Sequence, residues 1–364
     1  MPDNPQVPKS ARDIRRGSPA LVFLAAVVAV LLFCLGACKG GRSSSIRSHE
    51  CCAAYQHSDS LPDQPQQDVM RLAIGGDSRD DYSHVLPWAF KEARRRGAKA
   101  FFYLGDLEIT RSADKLFAPQ LADLNGVPFY PLIGNHEIES LGIIRLPGGR
   151  HAVKEFKEDF LTAPGVKLAP LPEVVYTADL EGGVHYIALD NVSRKGEGFG
   201  AEQMAWLATD LQAASAAKKL ILVGMHKGLA NNPVTTHAMD EDGANAISDS
   251  NAALALFKQY KVAMVFVSHS HMYASYNQDG VEVRLTGGLG APLVKGLAEA
   301  DGGFHHFLLV DVPLGDNKAP LRVEVVRFQG TPTKDDKDES LEAEVERPRA
   351  VKKIEWVEKA KLGF

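Results

Sequence analysis

Six apolar stretches of this 364-residue chain end in side chains that bind metal ions in many proteins. These side chains are, in chain order, Asp77, Asp106, Asn135 with His136, Asp190 with Asn191, His226, and His269 with His271. A carboxylate can bridge two cations, and imidazole nitrogens and amide oxygens complete the coordination shells of Zn, Mn or Fe. One such residue alone indicates little, because a lone buried histidine is usually structural. Their recurrence after successive apolar stretches indicates a metal site assembled from several loops.

The apolar stretches have the length of buried strands, and helical patterns lie between several of them. Strands are predicted at residues 71–75, 100–104, 129–133, 185–189, 220–223 and 262–267. Helices are predicted at 88–96, 201–216 and 251–260. This alternation predicts an α/β domain, and such domains build their sites at the carboxyl ends of strands. Three later strands, at 282–286, 306–312 and 322–328, have no helix between them and predict an antiparallel meander that completes a second sheet.

The motifs around these polar residues occur in a distinctive order. They read Gly76-Asp77, Gly105-Asp106, Gly134-Asn135-His136-Glu137, Val223-Gly224-Met225-His226 and Ser268-His269-Ser270-His271. This order resembles the calcineurin-like metallophosphoesterase superfamily, especially its purple acid phosphatase-like branch, over residues 70–328. Residues 199–207 resemble the helix that these proteins place after the fourth strand, and residues 287–292 and 303–306 resemble their late glycine-rich loop and following strand. The resemblance implies two mixed β-sheets packed face to face and flanked by helices.

The resemblance also implies a pair of metal ions that share one carboxylate. It assigns Asp77, Asp106 and His271 to one metal, and Asp106, Asn135, His226 and His269 to the other. Two metals about 3.5–4 Å apart supply the hydroxide nucleophile and the positive charge that phosphate-ester hydrolysis needs. The implied cofactors are therefore two divalent or trivalent ions, Fe, Mn or Zn.

The same resemblance implies roles for four further residues. His136 is not a metal ligand in the family but lies beside the phosphate, where it acts as an acid or stabilises charge. Glu137 could orient His136. Asp190 and Asn191 follow the fourth strand, where the family often has a structural aspartate, and we expect both to be structural.

The chain departs from the family pattern mainly at the first metal. Most members have a histidine where this chain has Arg79, and purple acid phosphatases have a tyrosine where it has Ile109. Asp80, Tyr82 or water could supply the missing ligand, and Ser268 replaces a glycine. An arginine has no lone pair to give a metal. We therefore expect Arg79 to bind the substrate phosphoryl group, and the alternative is that it pairs with Asp80 or points to solvent.

Three histidines lie outside the motifs. His151 and His237 fall in predicted loops that could line the substrate cleft, and His305 lies near the late glycine-rich loop. We expect each of them to be an exposed or packing histidine.

The first forty residues predict an export signal. Basic residues within positions 9–16 precede an uninterrupted apolar run at 20–37. The run ends in Leu35-Gly36-Ala37-Cys38, which resembles the bacterial lipobox and implies cleavage before Cys38 and lipidation of its thiol. The alternative is an uncleaved membrane anchor. We expect an exported lipoprotein on the periplasmic or cell-surface side of a bacterial membrane, and Lys39, where an aspartate would favour the inner membrane, favours the outer one.

The predicted organisation has four parts. They are a signal peptide at 1–37, a flexible linker at 38–69, a metallophosphoesterase domain at 70–330 and a charged tail at 331–364. All four cysteines, including Cys51 and Cys52 in the linker, precede residue 53, so the domain has no thiolate metal site and no cysteine nucleophile. A net charge of −5 without a basic stripe argues against nucleic-acid binding.

These features predict an exported, membrane-tethered, metal-dependent phosphoesterase that cleaves phosphate mono- or diesters. A narrower enzyme for a nucleotide or a phospholipid headgroup fits equally, because substrate choice would lie in the loops at 141–153 and 229–248. Another possibility is a degenerate binding lipoprotein with little or no turnover, which Arg79 and Ile109 favour. The sequence indicates no oligomeric state.

Overall fold

The computed structural model describes residues 58–79, 81, 83–107, 118–139, 149–194, 198–314 and 320–330. The predictions for the signal peptide, for the charged tail and for Cys38, Cys51, Cys52, Asp80, Tyr82 and Ile109 fall outside the described residues. No helix within the described ranges has the length and apolar character needed to cross a membrane.

Within the described residues, the strands form two sheets. The strands are β1 Val69–Gly75, β2 Ala100–Tyr103, β3 Phe129–Pro131, β4 Val166–Leu168, β5 Tyr176–Leu180, β6 Val184–Ala188, β7 Leu220–Gly224, β8 Met264–Val267, β9 Tyr273–Gln278, β10 Val281–Thr286, β11 His306–Pro313 and β12 Arg322–Arg327. One sheet has the order β12-β11-β1-β2-β3, and the other has the order β4-β5-β6-β7-β8-β10-β9. Both are mixed, because each contains parallel and antiparallel pairs of neighbouring strands.

Six α-helices lie between the strands of the described residues. They are α1 Val85–Arg95, α2 Ala118–Leu121, α3 Asn135–Glu139, α4 Gly149–Phe160, α5 Gly200–Ala216 and α6 Ala244–Gln259. Helix α5 buries Leu207, Leu211 and Ala214, whose spacing of three and four residues places them on one face. The predicted fold class, an α/β fold of two mixed sheets flanked by helices, is confirmed.

Successive residues of β2 show how helix α1 and the second sheet pack on opposite faces of the first sheet. Side chains alternate between the two faces of a strand. Phe101 contacts Phe90 of α1 at 4.9 Å between ring centroids, whereas Phe102 contacts Tyr186 of β6 in the other sheet at 4.0 Å. The Tyr176 hydroxyl of β5 also donates a hydrogen bond of 3.0 Å to the Pro131 carbonyl of β3. The two sheets therefore pack face to face around a shared core.

The predicted meander of the last three strands is wrong for β10, and only its antiparallel pair of β11 and β12 is formed. Strand β10 lies between β8 and β9 in the seven-stranded sheet, and β11 and β12 belong to the five-stranded sheet. Residues 306–312 of β11 are all buried, so this strand needs a neighbour on each side, and it pairs with β1 and β12. The connection at 287–305 leads from one sheet to the other, which the periodicity of the strands does not reveal.

His151 lies in helix α4 rather than in the predicted loop. Val153, Phe156 and Phe160 follow helical spacing and are buried, so their period marks the helix. The side chain of His151 is outside the described part of the structure.

The last part of the predicted linker contacts the domain. The Asp59 amide donates to the Val323 carbonyl at 2.7 Å, and the Leu61 amide donates to the Glu324 carboxylate at 2.8 Å. Arg71 of β1 donates to the Pro62 carbonyl at 2.7 Å while its guanidinium makes a buried bidentate pair with Asp311. Residues 59–62 therefore run along β12 and are attached to β1.

Candidate metal centre

Loops from both sheets bring the predicted ligands together. Asp77 follows β1, Asp106 follows β2 and Asn135 lies beyond β3, all in the five-stranded sheet. His226 follows β7 and His269 follows β8, both in the seven-stranded sheet. Every one of these loops leaves the carboxyl end of a strand, which is where α/β proteins build sites.

One donor cluster converges on Nε2 of His226. This atom lies 2.9 Å from Oδ1 of Asn135, 3.1 Å from Nδ1 of His269 and 3.3 Å from Oδ1 of Asp106. The carbonyl of Leu104 lies 2.8 Å from Nδ1 of His226 and can only accept a hydrogen bond, so Nδ1 carries the proton and Nε2 presents a lone pair. That lone pair faces carboxylate and amide oxygens, and a cation would satisfy all of these donors together.

The second donor cluster joins Asp77, Asp106 and His271, whose candidate ligand atoms lie within 4.8 Å of one another. Nδ1 of His271 donates to the Pro292 carbonyl at 2.8 Å, which leaves the Nε2 lone pair facing Oδ1 of Asp77 at 3.5 Å. Oδ1 of Asp77 is buried and accepts no hydrogen bond from the described residues, whereas Oδ2 accepts the His269 amide at 2.9 Å. A buried carboxylate oxygen of this kind suits a cation.

The residues present fit a binuclear metal centre. Ligand atoms that share a tetrahedral ion at about 2.0–2.1 Å lie roughly 3.3 Å apart. The distances around His226 Nε2, 2.9–3.3 Å, match that spacing. Asp106 belongs to both clusters, as a bridging carboxylate must. The structure thus brings together all six predicted ligands, and their roles as ligands stay a prediction.

The two aspartates influence each other electrostatically. Burial, and then the charge of Asp77, raise the pKa of Asp106 well above its usual value, although Arg79 and His271 act in the opposite direction. Burial alone would raise the pKa of Asp77, but the contact with the His271 imidazole and the other nearby histidines hold it below its usual value. Two buried carboxylates this close disfavour double ionisation, and a cation between them would remove that penalty.

Two of the three candidate ligand histidines, His226 and His269, are held in the neutral form, whereas burial of His271 is outweighed by the contact with Asp77, which raises the pKa of His271. Burial lowers the pKa of His226 and lowers that of His269 well below its usual value, and neighbouring histidines add to the shift at His269. A neutral imidazole has the lone pair that a metal requires.

Two buried side chains fix the loops that carry the aspartates. Oε2 of Glu137 accepts the amides of Gly134 at 2.6 Å and Asp106 at 2.9 Å. Burial and the charge of Asp106 raise the pKa of Glu137 to about 7. The Tyr103 hydroxyl accepts the Ser78 amide at 2.9 Å and donates to the Asp106 carbonyl at 3.1 Å. Glu137 therefore ties the second and third motifs together, and Tyr103 ties the first and second.

Strained backbone is concentrated in the same loops. Five described residues of the centre have positive φ values between 42° and 71°; they are Asp77, Arg79, Asp106, His269 and His271. Non-glycine residues rarely adopt this region, and such strain persists where the surrounding structure enforces it. Gly105, with φ 92°, is required because a Cβ there would lie 2.7 Å from the Gly134 amide nitrogen and from Nδ1 of His226.

His136 and Arg79 adjoin the centre without belonging to either donor cluster. The His136 amide donates to Oδ1 of Asp106 at 3.0 Å, and its Nε2 lies 3.8 Å from Oδ2 of the same residue. The Arg79 amide donates to the Asp106 carbonyl at 2.9 Å, and the guanidinium charge opposes the rise in the pKa of the Asp106 carboxylate.

Asp190 and Asn191 make structural contacts. Asp190 accepts the amides of Val174, Val192 and Ser193 at 2.8–3.1 Å. Asn191 donates to the Lys227 carbonyl at 2.8 Å and accepts its amide at 3.2 Å, directly after His226.

Among the histidines outside the motifs, His237 lies unexpectedly close to the centre. Its ring stacks on that of His269 with centroids 4.0 Å apart, and its Nδ1 lies 2.6 Å from Oε1 of Glu241. His305 lies on the glycine-rich loop, with Nδ1 3.2 Å from the Gly288 carbonyl. The contacts of Tyr103 and Glu241 have no signal in the sequence, because Tyr103 resembles a core residue and Glu241 lies in a polar loop.

Ser268 replaces a glycine of the family pattern, and its buried hydroxyl has a hydrogen-bond partner. Its Oγ donates to the Leu104 carbonyl at 2.7 Å, the same oxygen that accepts from Nδ1 of His226.

Comparisons with known proteins find a matching family model and similar solved structures. The family model described as calcineurin-like phosphoesterase matches residues 68–273. A dimetal phosphatase from Danio rerio is 12% identical, with 71% of this chain and 100% of that chain covered and a TM-score of 0.44. PhoD is 12% identical, with 71% of this chain and 65% of that chain covered and a TM-score of 0.45. GAP50 of Plasmodium, titled the anchor in the inner membrane complex, is 12% identical, with 73% and 91% covered and a TM-score of 0.46.

No curated protein sequence matches the chain. The family model, however, covers more than half of the residues, including every predicted metal ligand, and the two-sheet fold places those ligands together. This chain belongs to the calcineurin-like phosphoesterase family.

Proposed function

We propose that this protein is an exported, lipid-anchored, metal-dependent phosphoesterase that hydrolyses phosphate mono- or diesters. The observation that carries the proposal is the convergence of lone pairs at His226. Its Nε2 faces an amide oxygen, a carboxylate oxygen and a second imidazole within 3.3 Å, and its protonation is fixed by the Leu104 carbonyl. Such a set of donors is costly to bury unless it binds a cation.

Asp77, Asp106 and His271 would hold one metal, and Asp106, Asn135, His226 and His269 would hold the other. When bound, two such ions supply positive charge for the phosphoryl oxygens and lower the pKa of a water. The protein's own part is to hold the ligands rigidly. The hydrogen bonds of Tyr103 and Glu137 to the aspartate loops serve this purpose.

His136 is suited to act on the substrate. Its side chain is 23% exposed and its Nε2 is 3.8 Å from Asp106, so it faces the centre while remaining accessible. In the protonated form it would stabilise charge on the phosphoryl oxygens or give a proton to the leaving oxygen.

Arg79 would bind the phosphoryl group and compensate for the histidine that it replaces. A guanidinium stays charged and donates bidentate hydrogen bonds to phosphate oxygens. Two observations support this role: the charge of Arg79 opposes the rise in the pKa of Asp106, and its backbone amide donates to the Asp106 carbonyl.

The location is proposed from the sequence of the N-terminal segment. A basic stretch, the apolar run at 20–37 and the Leu35-Gly36-Ala37-Cys38 motif support lipidation at Cys38. Two or more acyl chains give stable membrane anchoring. The protein would then encounter its phosphate-ester substrate outside the cytoplasm. Lys39 favours its sorting to the outer membrane.

A test combines metal analysis with turnover. The full-length protein, purified in detergent, would be analysed for bound Fe, Mn and Zn and assayed with aryl phosphate monoesters and diesters. We expect metal-dependent hydrolysis that a chelator abolishes and metal restores. Bound metal without turnover of either ester class would favour the alternative, a degenerate binding lipoprotein, and absence of both would reject the proposal.

A further inference from the structure

Glu241 and His237 form a pair against the candidate ligand His269. His237 Nδ1 lies 2.6 Å from Oε1 of Glu241, and the other carboxylate oxygen, Oε2, lies 3.9 Å from Nε2 of His269. The His237 and His269 rings stack with centroids 4.0 Å apart. Neither Glu241 nor His237 belongs to the metal-binding motifs of the sequence.

The two nitrogens of His269 differ in what surrounds them. Nδ1 faces the metal centre, 3.1 Å from Nε2 of His226. Nε2 is buried and has no hydrogen-bond partner among the described residues. A neutral imidazole carries one proton, so if Nδ1 gives its lone pair to a cation, Nε2 must carry the proton. Oε2 of Glu241 lies 3.9 Å from that nitrogen, and a shift of about 1 Å by this exposed side chain would bring it within hydrogen-bond distance.

Geometry argues against a third metal site at the same place. Donor atoms of His237, Glu241 and His269 do lie within 4.8 Å of one another. An imidazole binds a metal in the plane of its ring, and these two rings are stacked with an interplanar angle of only 24°. Their lone pairs therefore cannot point at one ion unless a ring turns. The 2.6 Å contact of His237 with Glu241 is instead a hydrogen bond that orients the carboxylate.

We propose that Glu241, oriented by His237, is a positioning residue for His269. The carboxylate would hold the proton of His269 on Nε2 and so keep the Nδ1 lone pair directed at the metal centre. Partners of this kind around metal ligands change metal affinity 10- to 100-fold when they are removed. The inference rests on the proposed function, because it requires His269 to be a metal ligand.

The loop that carries the pair is attached to the centre at several points. The Ser270 hydroxyl, between His269 and His271, donates to the His237 carbonyl at 2.6 Å. The His237 amide donates to the Thr235 hydroxyl at 2.9 Å. Beside Glu241, Asp242 forms a bidentate pair with Lys227, the residue after His226, at 2.7 and 2.9 Å. These contacts hold the carboxylate beside His269.

The test measures metal affinity rather than activity. Glu241 and His237 are 44% and 41% exposed, so their substitution should leave the fold intact. The two metal dissociation constants of the full-length protein would be measured with Zn²⁺ and a competing chelator, for Glu241→Ala and Glu241→Gln. Asp210→Ala is the matched control, because it removes the carboxylate 2.8 Å from His185, which lies at the opposite end of β6 from the centre.

We expect Glu241→Ala to weaken one of the two sites by about 10- to 100-fold. Glu241→Gln should recover most of that loss, because its amide oxygen can still accept from Nε2. Asp210→Ala should leave both constants unchanged. Unchanged constants in Glu241→Ala, or no recovery in Glu241→Gln, would overturn the positioning role. It would also be overturned if Glu241→Ala lost only a third equivalent of Zn²⁺. Absence of metal binding by the unmodified protein would instead overturn the proposed function, and the positioning role with it.

Discussion

Nε2 of His226 lies 3.3 Å from Oδ1 of Asp106, and the two residues come from different sheets. Asp106 follows β2 and His226 follows β7, 120 positions later in the chain. The contact is therefore made only when both sheets have packed on their shared core. Formation of the candidate metal centre and packing of the two sheets are thus coupled.

Tyr103→Phe should destabilise the protein and loosen the first two motifs. Loss of the hydroxyl leaves the buried Ser78 amide without its partner, and an unsatisfied buried group costs about 1–3 kcal/mol. Urea unfolding measures the change in the free energy of unfolding. Tyr176→Phe is the control, since it removes a buried hydroxyl that, among the described residues, bonds only the Pro131 carbonyl, and it should leave metal affinity as it was. Equal metal affinity in both variants would contradict the role given to Tyr103.

Arg79→Ala should reduce turnover without removing metal. The guanidinium would contact phosphoryl oxygens mainly in the transition state, so we expect a loss of about 2–4 kcal/mol in kcat/KM. Steady-state kinetics with aryl mono- and diesters, together with metal content, check this. Unchanged kinetics for both ester classes would show that Arg79 has only a structural role.

His185 should make stability depend on pH. Burial lowers its pKa, but hydrogen bonds to Asp210 and Asp179, at 2.8 and 2.7 Å, outweigh burial and raise it above its usual value. A raised pKa stabilises the folded state below the unfolded pKa of about 6.5, and this stabilisation is lost as pH rises through the folded value.

Urea unfolding at pH 6 and pH 9 would show this loss, and His185→Leu should reduce the difference between the two conditions. Asp179 acts in the opposite pH range, because hydrogen bonds from Lys219 and His185 outweigh burial and lower its pKa. Its contribution is lost only as pH falls below the usual range for a carboxylate. An identical pH dependence in His185→Leu would contradict the assignment to His185.

Cys38→Ser should block lipidation and signal cleavage. The cysteine would be the acylated residue at the end of the apolar run, so the variant should keep its signal and take up no labelled fatty acid. Mass spectrometry and membrane fractionation check this. The same mature mass and the same membrane fraction in both forms would rule out Cys38 as the anchor.

The positions of the ligands could be predicted because each motif directly follows a strand. An apolar run that ends in Asp, Asn or His marks both the strand and the residue that its loop presents, as at Asp77 and His269. Strands β4, β5 and β9 were not predicted, since Val166–Leu168 is only three residues long, Tyr176–Leu180 is interrupted by polar residues and Tyr273–Gln278 is largely polar. Local pattern also could not assign β10 and β11 to different sheets.

The residues that support the ligands could not be predicted either, and the reason is different. Tyr103 acts on Ser78, which precedes it by 25 residues, and Glu241 reaches His269 from a polar loop without periodicity. Their roles depend on which atoms meet after folding. The pattern of residue types along the chain does not indicate such contacts.

The metal-dependent account is tested most directly by measuring metal content and turnover in the same preparations of the unmodified protein, His226→Ala and His185→Ala. His226→Ala removes the imidazole on which one donor cluster converges, and His185→Ala removes a buried imidazole outside the centre. We predict that His226→Ala loses bound metal and ester hydrolysis together, whereas His185→Ala keeps both. Full metal content and full turnover in His226→Ala would contradict the assignment of the centre.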